Sequence, residues 1–207
     1  GGQIFGDDLN FTLNRQGYVG TDCSARLNRA VFFKNNLGGL TSLGVGDTAL
    51  INSYVSNNGS NAESNYGGIL SGQGQNLSIV YSTVLNNLSE IGARSLICTP
   101  DAGTTEIRNS VVIAFVAPSI DCATATISQS AVDEGKVDGD TNIAAMMADA
   151  MNWFEPQVSG VYKAKADTPL KDLAVWNDGD PKADFNGDAR PATMGMTDYA
   201  GADRPAP

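Results

Sequence analysis

The sequence predicts an all-β protein, a right-handed parallel β-helix (solenoid) with an irregular C-terminal cap that contains one short helix. A short motif rich in β-branched residues recurs along the chain, full copies end in asparagine, and glycine-rich stretches separate them. The copies begin at Val31, Ser53 and Ser82, with shorter echoes at Ser110 and Ser130. Such a repeat is typical of stacked coils, in which each strand pairs with the strand of the coil below, about 4.8 Å away.

Equivalent positions of the repeat should stack in columns, because each coil lies directly on the one before it. Alignment on the asparagines gives steps of 22, 29 and 28 residues between Asn35, Asn57, Asn86 and Ala114. The inward apolar column predicted by this alignment is Phe33, Val55, Val84, Val112 and Val132. The three asparagines are expected at turns, since asparagine tolerates the left-handed backbone conformation.

The repeat divides the chain into two parts. Residues 1–132 are predicted to form the coils and residues 133–207 a capping region with the start of a linker, and the formal net charge changes from -3 in the first part to -7 in the second. The cap is expected to cover the strand edge at the end of the solenoid. Because the opening residues 1–4 resemble later turns between coils, we expect earlier coils to be missing; a start at a signal-peptide cleavage site is the alternative.

Within the capping region the spacing of apolar residues predicts a short helix over residues 142–152. Ile143, Met146, Met147 and Met151 share one face of this helix, and Asp140-Thr141 precedes it as a cap. Methionines at such spacing are more typical of packing against a core than of a metal or cofactor site.

Composition excludes several kinds of site. The chain contains no histidine, which excludes imidazole acid–base chemistry and zinc sites built on histidine. The formal net charge of -10 argues against nucleic acid and anionic membranes as partners, because phosphate binding requires clustered lysine and arginine. No apolar run in the sequence reaches the roughly 20 residues of a membrane-spanning helix.

The cysteine spacing predicts a disulfide between neighbouring coils. Cys98 and Cys122 are 24 residues apart, about one coil, so their side chains are expected within bonding reach. Pairing of Cys23 with either of them is the alternative, as is a partner for Cys23 in a missing coil. A disulfide favours an oxidising compartment over the cytosol, where three buried thiols would be expected instead.

The C-terminal part carries three motifs. They are Thr168-Pro169-Leu170, then Asp184, Gly187, Arg190 and Pro191 in one stretch, then Asp198-Tyr199-Ala200-Gly201-Ala202-Asp203. Together they resemble the C-terminal signature of bacterial surface proteins described as right-handed parallel β-helix proteins with a choice-of-anchor Q domain. Here Thr168 replaces a serine, and the last motif has one extra residue. The resemblance implies a secreted or cell-surface bacterial protein, and it specifies fold and export better than activity.

Asp184, Asn186 and Asp188 have the alternating oxygen ligands of a calcium loop. Ala189 stands where the glycine of such a loop is expected. The other interpretation is therefore a turn in which Asp184 or Asp188 pairs with Arg190 and accepts hydrogen bonds from backbone amides. We favour the turn, with no cofactor, and keep Ca²⁺ as the alternative.

The leading functional hypothesis is a non-catalytic, exported cell-surface protein. Its solenoid would act as a stalk, or as an adhesive face for a glycan or an extracellular protein. Tyr54, Tyr66 and Tyr81 are predicted to be exposed on the flat stacked faces and to contact that partner by stacking and hydrogen bonding.

Two alternatives come from other classes. One is a polysaccharide lyase or glycoside hydrolase, for which the candidate catalytic residues are Glu63, Glu90, Arg94 and Arg108, with Ca²⁺ in the lyase version. Surface charges that keep a solenoid soluble explain the same residues, and no two carboxylates recur convincingly at a one-coil step. The other alternative is a structural subunit whose open coil ends associate end to end.

Overall fold

The computed structural model describes residues 2–60, 66–89, 95–114, 118–133 and 141–205. It is an all-β structure of short strands with one short α-helix. The strands are, in chain order, β1 (Gly2–Asp7), β2 (Asn10–Thr12), β3 (Tyr18–Thr21), β4 (Cys23–Asn28), β5 (Val31–Phe33), β6 (Leu40–Leu43), β7 (Gly46–Ile51), β8 (Tyr54–Ser56), β9 (Ile69–Ser71), β10 (Gln75–Val80), β11 (Thr83–Leu85), β12 (Leu96–Cys98), β13 (Thr105–Arg108), β14 (Val111–Ile113), β15 (Ile120–Asp121), β16 (Ala125–Ser128), β17 (Ala131–Val132), β18 (Ile143–Ala144), β19 (Ala174–Val175) and β20 (Thr197–Asp198). The helix α1 is Met147–Ala150, followed by a 3-10 turn at Met151–Trp153.

The first eighteen strands form three parallel sheets that the chain visits in turn. The first sheet has the order β1-β4-β7-β10-β13-β16, the second β2-β5-β8-β11-β14-β17-β18 and the third β3-β6-β9-β12-β15. Strands β1 to β14 therefore each pair with the strand three further along the chain, and we call one passage through the three sheets a round. Strands β19 and β20 form a separate antiparallel pair.

Each sheet contributes one buried apolar column to a common core. The columns are Leu27, Leu50, Ile79 and Ile107 from the first sheet, Phe32, Val55, Val84, Val112 and Val132 from the second, and Leu40, Ile69, Leu96 and Ile120 from the third. All of these side chains belong to one contiguous cluster.

The predicted column is confirmed except at its first position. Phe32, and not Phe33, pairs with Val55. Alignment on the asparagine pairs shifted the first copy by one residue, and a shift of one residue moves a strand side chain to the opposite face of the sheet. Phe33 consequently points away from the three columns and packs in a separate apolar cluster on the outer side of the second sheet.

Two sets of equivalent side chains stack from round to round in the turn that follows each strand of the second sheet. The buried set consists of Asn35, Asn58 and Asn87. The side-chain amide of Asn35 donates to Asn58 Oδ1 at 2.9 Å, and that of Asn58 donates to Asn87 Oδ1 at 3.0 Å. The left-handed turn positions are Lys34, Asn57 and Asn86, with φ of 55°, 54° and 55°. The predicted turn role is thus confirmed for Asn57 and Asn86 and wrong for Asn35, through the same one-residue shift.

Residues 141–205, which we call the C-terminal segment, lie along the outer face of the second sheet. Phe154, Tyr162 and Trp176 of this segment pack in one cluster with Leu85 and Ile113 of the sheet. The region was expected to cover the end of the stack; its strand β18 does pair with β17 at the end of the second sheet, but most of its apolar side chains pack on the outer face instead. The second sheet carries apolar side chains on both faces in successive rounds, so its outer face requires cover along its length.

The helix of the C-terminal segment is shorter than predicted. Ile143 and Ala144 extend the second sheet as β18, which pairs with β17. The backbone amide of Ile143 donates to Ser130 O at 3.0 Å. The helix then begins at Met147, which is buried, whereas Met146 and Met151 are exposed. Asp140, the predicted cap, lies outside the described residues.

A disulfide joins Cys98 of the third sheet to Cys122, one round later, as the spacing predicted, with 4.8 Å between the two Cα atoms. Cys23 is half-buried and forms no disulfide among the described residues; its Sγ lies 3.7 Å from the Tyr18 hydroxyl. Burial and, next, the neighbouring Cys23 raise the pKa of Tyr18 to about 12.

Removing this disulfide by Cys98→Ala and Cys122→Ala should lower the free energy of unfolding by about 3 kcal/mol, because the bond closes a loop of 24 residues in the unfolded chain. Guanidinium unfolding of the oxidised chain and the double variant measures the difference. Cys23→Ala serves as the control for loss of a thiol. A double variant no less stable than this control contradicts the prediction.

Candidate functional site

The outer face of the first sheet has two largely exposed columns, whereas its third outward column, Ile51, Val80 and Arg108, lies against the C-terminal segment. One outward column consists of Gln3, Ser24, Asp47, Asn76 and Thr104, and the next of Phe5, Arg26, Ala49, Ser78 and Glu106. We call these ten residues the first-sheet face. Hollows of about 250 and 150 Å³ lie along it, and both include Asp47 and Ala49. The face therefore forms a shallow trough that crosses successive strands.

Hydrogen bonds between rounds hold the middle of the first-sheet face in place. Asn76 Nδ2 donates to Asp47 Oδ1 at 2.9 Å, and Asn76 Oδ1 accepts from the backbone amide of Thr104 at 2.9 Å. The backbone amide of Asp47 donates to Ser24 Oγ at 3.1 Å. Beside this ladder, Phe5 is 73% exposed, and Arg26 and Glu106 are also exposed. An aromatic ring, a cation and carboxylates thus border an ordered polar strip.

The three tyrosines predicted to contact a partner are buried, so the predicted exposed tyrosine face is wrong. Tyr54 and Tyr81 are fully buried beneath the C-terminal segment, and Tyr54 Oη donates to the backbone oxygen of Tyr162 at 3.1 Å. Tyr66 is 9% exposed, because its ring packs against Gly38, where no side chain intervenes. Burial raises the pKa of Tyr54 and of Tyr81. A partner cannot reach these rings.

The catalytic alternative receives no support from the described candidates. Glu63, Glu90 and Arg94 lie outside the described residues. Arg108 forms an ion pair with Asp180, a buried residue of the C-terminal segment.

On the first-sheet face, the carboxylates of Asp47 and Glu106 belong to β7 and β13, which β10 separates. Their strands are therefore about 10 Å apart, and Glu106 lies two residues further along the sheet than Asp47, so the two are not direct cross-strand neighbours.

Three carboxylates meet near the end of the C-terminal segment. Asp184 is fully buried, and its Oδ1 accepts from the backbone amides of Asn186 at 3.0 Å and Asp188 at 2.9 Å. Its Oδ2 accepts from the backbone amide of Arg204 at 3.1 Å. One oxygen each of Asp184, Asp188 and Asp203 lies within 4.8 Å of the others. Burial and, next, the Asp184 carboxyl raise the pKa of Asp203 to about 7.

This arrangement combines features of both interpretations of the loop. Asp184 accepts backbone hydrogen bonds as the turn requires, but Arg190 pairs with Asp198 and not with Asp184 or Asp188. Asn186 contacts the cluster through its side-chain amide, which donates to Asp203. Sequence spacing missed Asp203 as a member, because it follows Asp184 by 19 residues and only the folded chain brings the two together. The sequence feature that could have pointed to Asp203 was its place at the end of the third C-terminal motif, residues 198–203.

Arg190 links the C-terminal segment to the connections between the first and second sheets. Its Nη1 donates to Asp198 Oδ2 at 2.8 Å, and its Nη2 donates to the backbone oxygen of Gly201 at 2.9 Å and to Asn52 Oδ1 at 3.3 Å. Its guanidinium carbon lies 3.9 Å from the centre of the Tyr81 ring. The Arg190 side chain is fully buried, so these contacts replace water around the charge.

No protein-family model, curated protein or solved structure matches this chain. Among the residues that the structure describes, no helix is long and apolar enough to cross a membrane.

Proposed function

We propose that the chain is a right-handed parallel β-helix from an exported bacterial surface protein, and that it is a non-catalytic scaffold whose first-sheet face binds a glycan. The observation that carries the proposal is the difference between two outer faces: the C-terminal segment covers that of the second sheet, whereas the first-sheet face is polar and open. A surface lined with ordered polar groups and left uncovered is suited to a hydrophilic partner.

The fold part of the proposal is supported by the order of the strands. A chain that visits three parallel sheets in turn, with each strand paired one round later, follows the path of a β-helix. Export is supported by the Cys98–Cys122 disulfide, since disulfides persist in oxidising compartments. The resemblance of the C-terminal motifs to those of bacterial surface proteins agrees with both.

A glycan suits the chemistry of the first-sheet face. Amides, hydroxyls and carboxylates at Asn76, Ser78 and Asp47 offer donors and acceptors to sugar hydroxyls. The exposed ring of Phe5 offers an apolar surface against which a sugar ring can pack. The trough extends across strands, as an extended oligosaccharide requires. Its mixed charge, with Arg26 against Asp47 and Glu106, favours an uncharged or amino-sugar polymer over a polyanion.

A panel of bacterial and plant polysaccharides tests this proposal, with co-elution and polymer size followed by chromatography. We expect the chain to co-elute with at least one polymer of unchanged length, and Arg26→Ala combined with Asn76→Ala to weaken that binding at least tenfold. Lys171→Ala, at an exposed position on the C-terminal segment, is the control and should bind like the parent.

Three outcomes contradict the proposal. Shortened polymer would establish the enzymatic alternative. Co-elution unaffected by the double substitution would place binding elsewhere on the molecule. The absence of co-elution with every polymer would exclude the glycan face.

A second candidate function is end-to-end association with another copy of the chain. Strands β1, β2 and β3 stand at the ends of the three sheets and lack a neighbour on one side among the described residues. Large apolar side chains are exposed around these strands: Ile4, Phe5, Leu13 and Val19. Unpaired strand edges beside exposed apolar residues favour pairing with further strands. Light scattering across concentrations tests this candidate, and a monomer at every concentration excludes it.

A further inference from the structure

We infer that Asp184, Asp188 and Asp203 form a binding site for a divalent cation of the size of Ca²⁺, which fastens the end of the C-terminal segment. The inference is independent of the glycan proposal, because the site and the first-sheet face share no residue. It also differs from the calcium loop considered from the sequence, since Asp203 takes the place of Asn186 as a ligand.

The distances within the cluster fit one shared ion. One oxygen from each carboxylate lies within 4.8 Å of the other two. Ca²⁺ binds oxygens at about 2.3–2.6 Å, so two of its ligands are at most about 5 Å apart. Mg²⁺ demands a strict octahedral geometry and gives up its water ligands reluctantly, so a site of three protein carboxylates suits it less well. The cluster therefore fits the larger and more adaptable ion.

The state of Asp203 points to a ligand. Asp203 is 2% exposed, its buried Oδ1 accepts no hydrogen bond from an N–H group among the described residues, and the Asp184 carboxyl lies within hydrogen-bond reach of Asp203. Asp203 Oδ2 accepts from Asn186 Nδ2, so Oδ1 is the oxygen left without an N–H donor. A buried carboxylate oxygen without such a donor is unfavourable, the more so beside a second buried carboxylate. A cation shared with Asp184 and Asp188 supplies the missing partner.

The backbone of the loop is already arranged for this role. The amides of Asn186 and Asp188 fix Asp184 Oδ1, and the amide of Arg204 fixes Asp184 Oδ2. Next to Asp184, the Phe185 ring packs edge-on against Tyr54 of the second sheet, with 4.9 Å between ring centres. An ion that joins Asp203 to this loop therefore ties the last described residues to the sheet.

Calorimetric titration of the EGTA-treated full chain with CaCl₂ and MgCl₂ tests the inference, together with melting in 5 mM of each salt. We expect about one Ca²⁺ per chain with a dissociation constant of roughly 10⁻⁴–10⁻³ M, as in extracellular modules, and at least tenfold weaker Mg²⁺ binding. Calcium should raise the melting temperature by about 2–5 °C.

Two variants and one control make the test specific. Asp203→Asn and Asp188→Asn should each weaken Ca²⁺ binding at least tenfold and remove the rise in melting temperature. Asp167→Asn, an exposed acid on the same segment, should retain both. Asp203→Asn also removes one of three like charges, so without calcium it should melt no lower than the parent, which separates lost binding from lost folding.

The inference is overturned by any of three results. They are no heat and no stabilisation with Ca²⁺ in the parent chain, equal affinity for Mg²⁺ and Ca²⁺, and parental Ca²⁺ affinity in both Asp203→Asn and Asp188→Asn.

Discussion

Replacing Val84 with aspartate is expected to abolish cooperative folding. Val84 is fully buried in the second sheet, where it pairs with Val55 on one side and Val112 on the other. The substitution removes about 1.5–3 kcal/mol of apolar burial. It also places a carboxylate without a partner inside an aliphatic column, so the total loss should be about 5 kcal/mol or more. Because a domain is usually stable by only about 5–15 kcal/mol, the melting transition followed by circular dichroism should disappear.

The matched control introduces the same substitution at an exposed valine. Val45 is 77% exposed, so Val45→Asp should melt cooperatively with a change of less than about 1 kcal/mol. If Val84→Asp kept a cooperative transition close to that of Val45→Asp, the stacked column of the second sheet would be wrong.

Replacing Arg190 with alanine is expected to lower the free energy of unfolding by about 3–5 kcal/mol, because it leaves the buried Asp198 carboxylate with only its longer ion pair to Arg204, at 3.7 Å. The loss includes the contact with the Tyr81 ring and the bonds to backbone oxygens of the C-terminal segment. Adding Asp198→Asn removes the buried charge that has lost its closer partner, so the double variant should recover at least about 1 kcal/mol. Urea unfolding of the three variants measures both effects.

The control for the loss of a long cationic side chain is Arg15→Ala. Arg15 is exposed, so its removal should change the free energy of unfolding by less than about 0.5 kcal/mol. A loss in Arg190→Ala no larger than in Arg15→Ala would show that the buried ion pair does not hold the C-terminal segment to the connections between the first and second sheets.

The repeated motif predicted the all-β class, the parallel strands and most of the second-sheet column, because stacked rounds must present the same residue type at the same position. The register of the first copy was missed because two adjacent asparagines at the end of a motif serve different purposes. In the later copies the first of them, Asn57 or Asn86, occupies the left-handed turn, and the second, Asn58 or Asn87, joins the buried ladder. The first copy has Lys34 at the turn, so alignment on asparagine alone shifted it.

The functional surfaces were harder to predict, because they depend on where the C-terminal segment packs. A tyrosine in a polar repeat has the same local pattern whether it faces water or a covering segment. Contacts such as that of Tyr54 with Tyr162, 108 residues later, leave no local trace in the sequence. The charge distribution correctly located an acidic C-terminal part, residues 133–207, but only the folded chain shows that three of its carboxylates converge.

The packing of the C-terminal segment also sets an order of assembly. Neighbouring rounds bond across about one repeat, as between Asn58 and Asn87, 29 residues apart, so they can form one after another as the chain emerges. The bonds from Asn52 and Thr83 to the C-terminal segment span 138 and 119 residues and can form only once nearly the whole chain is available. Until then the apolar outer side of the second sheet remains open to other chains. Newly made molecules are therefore most prone to aggregate in the interval before docking, and faster docking should raise the yield of refolded protein.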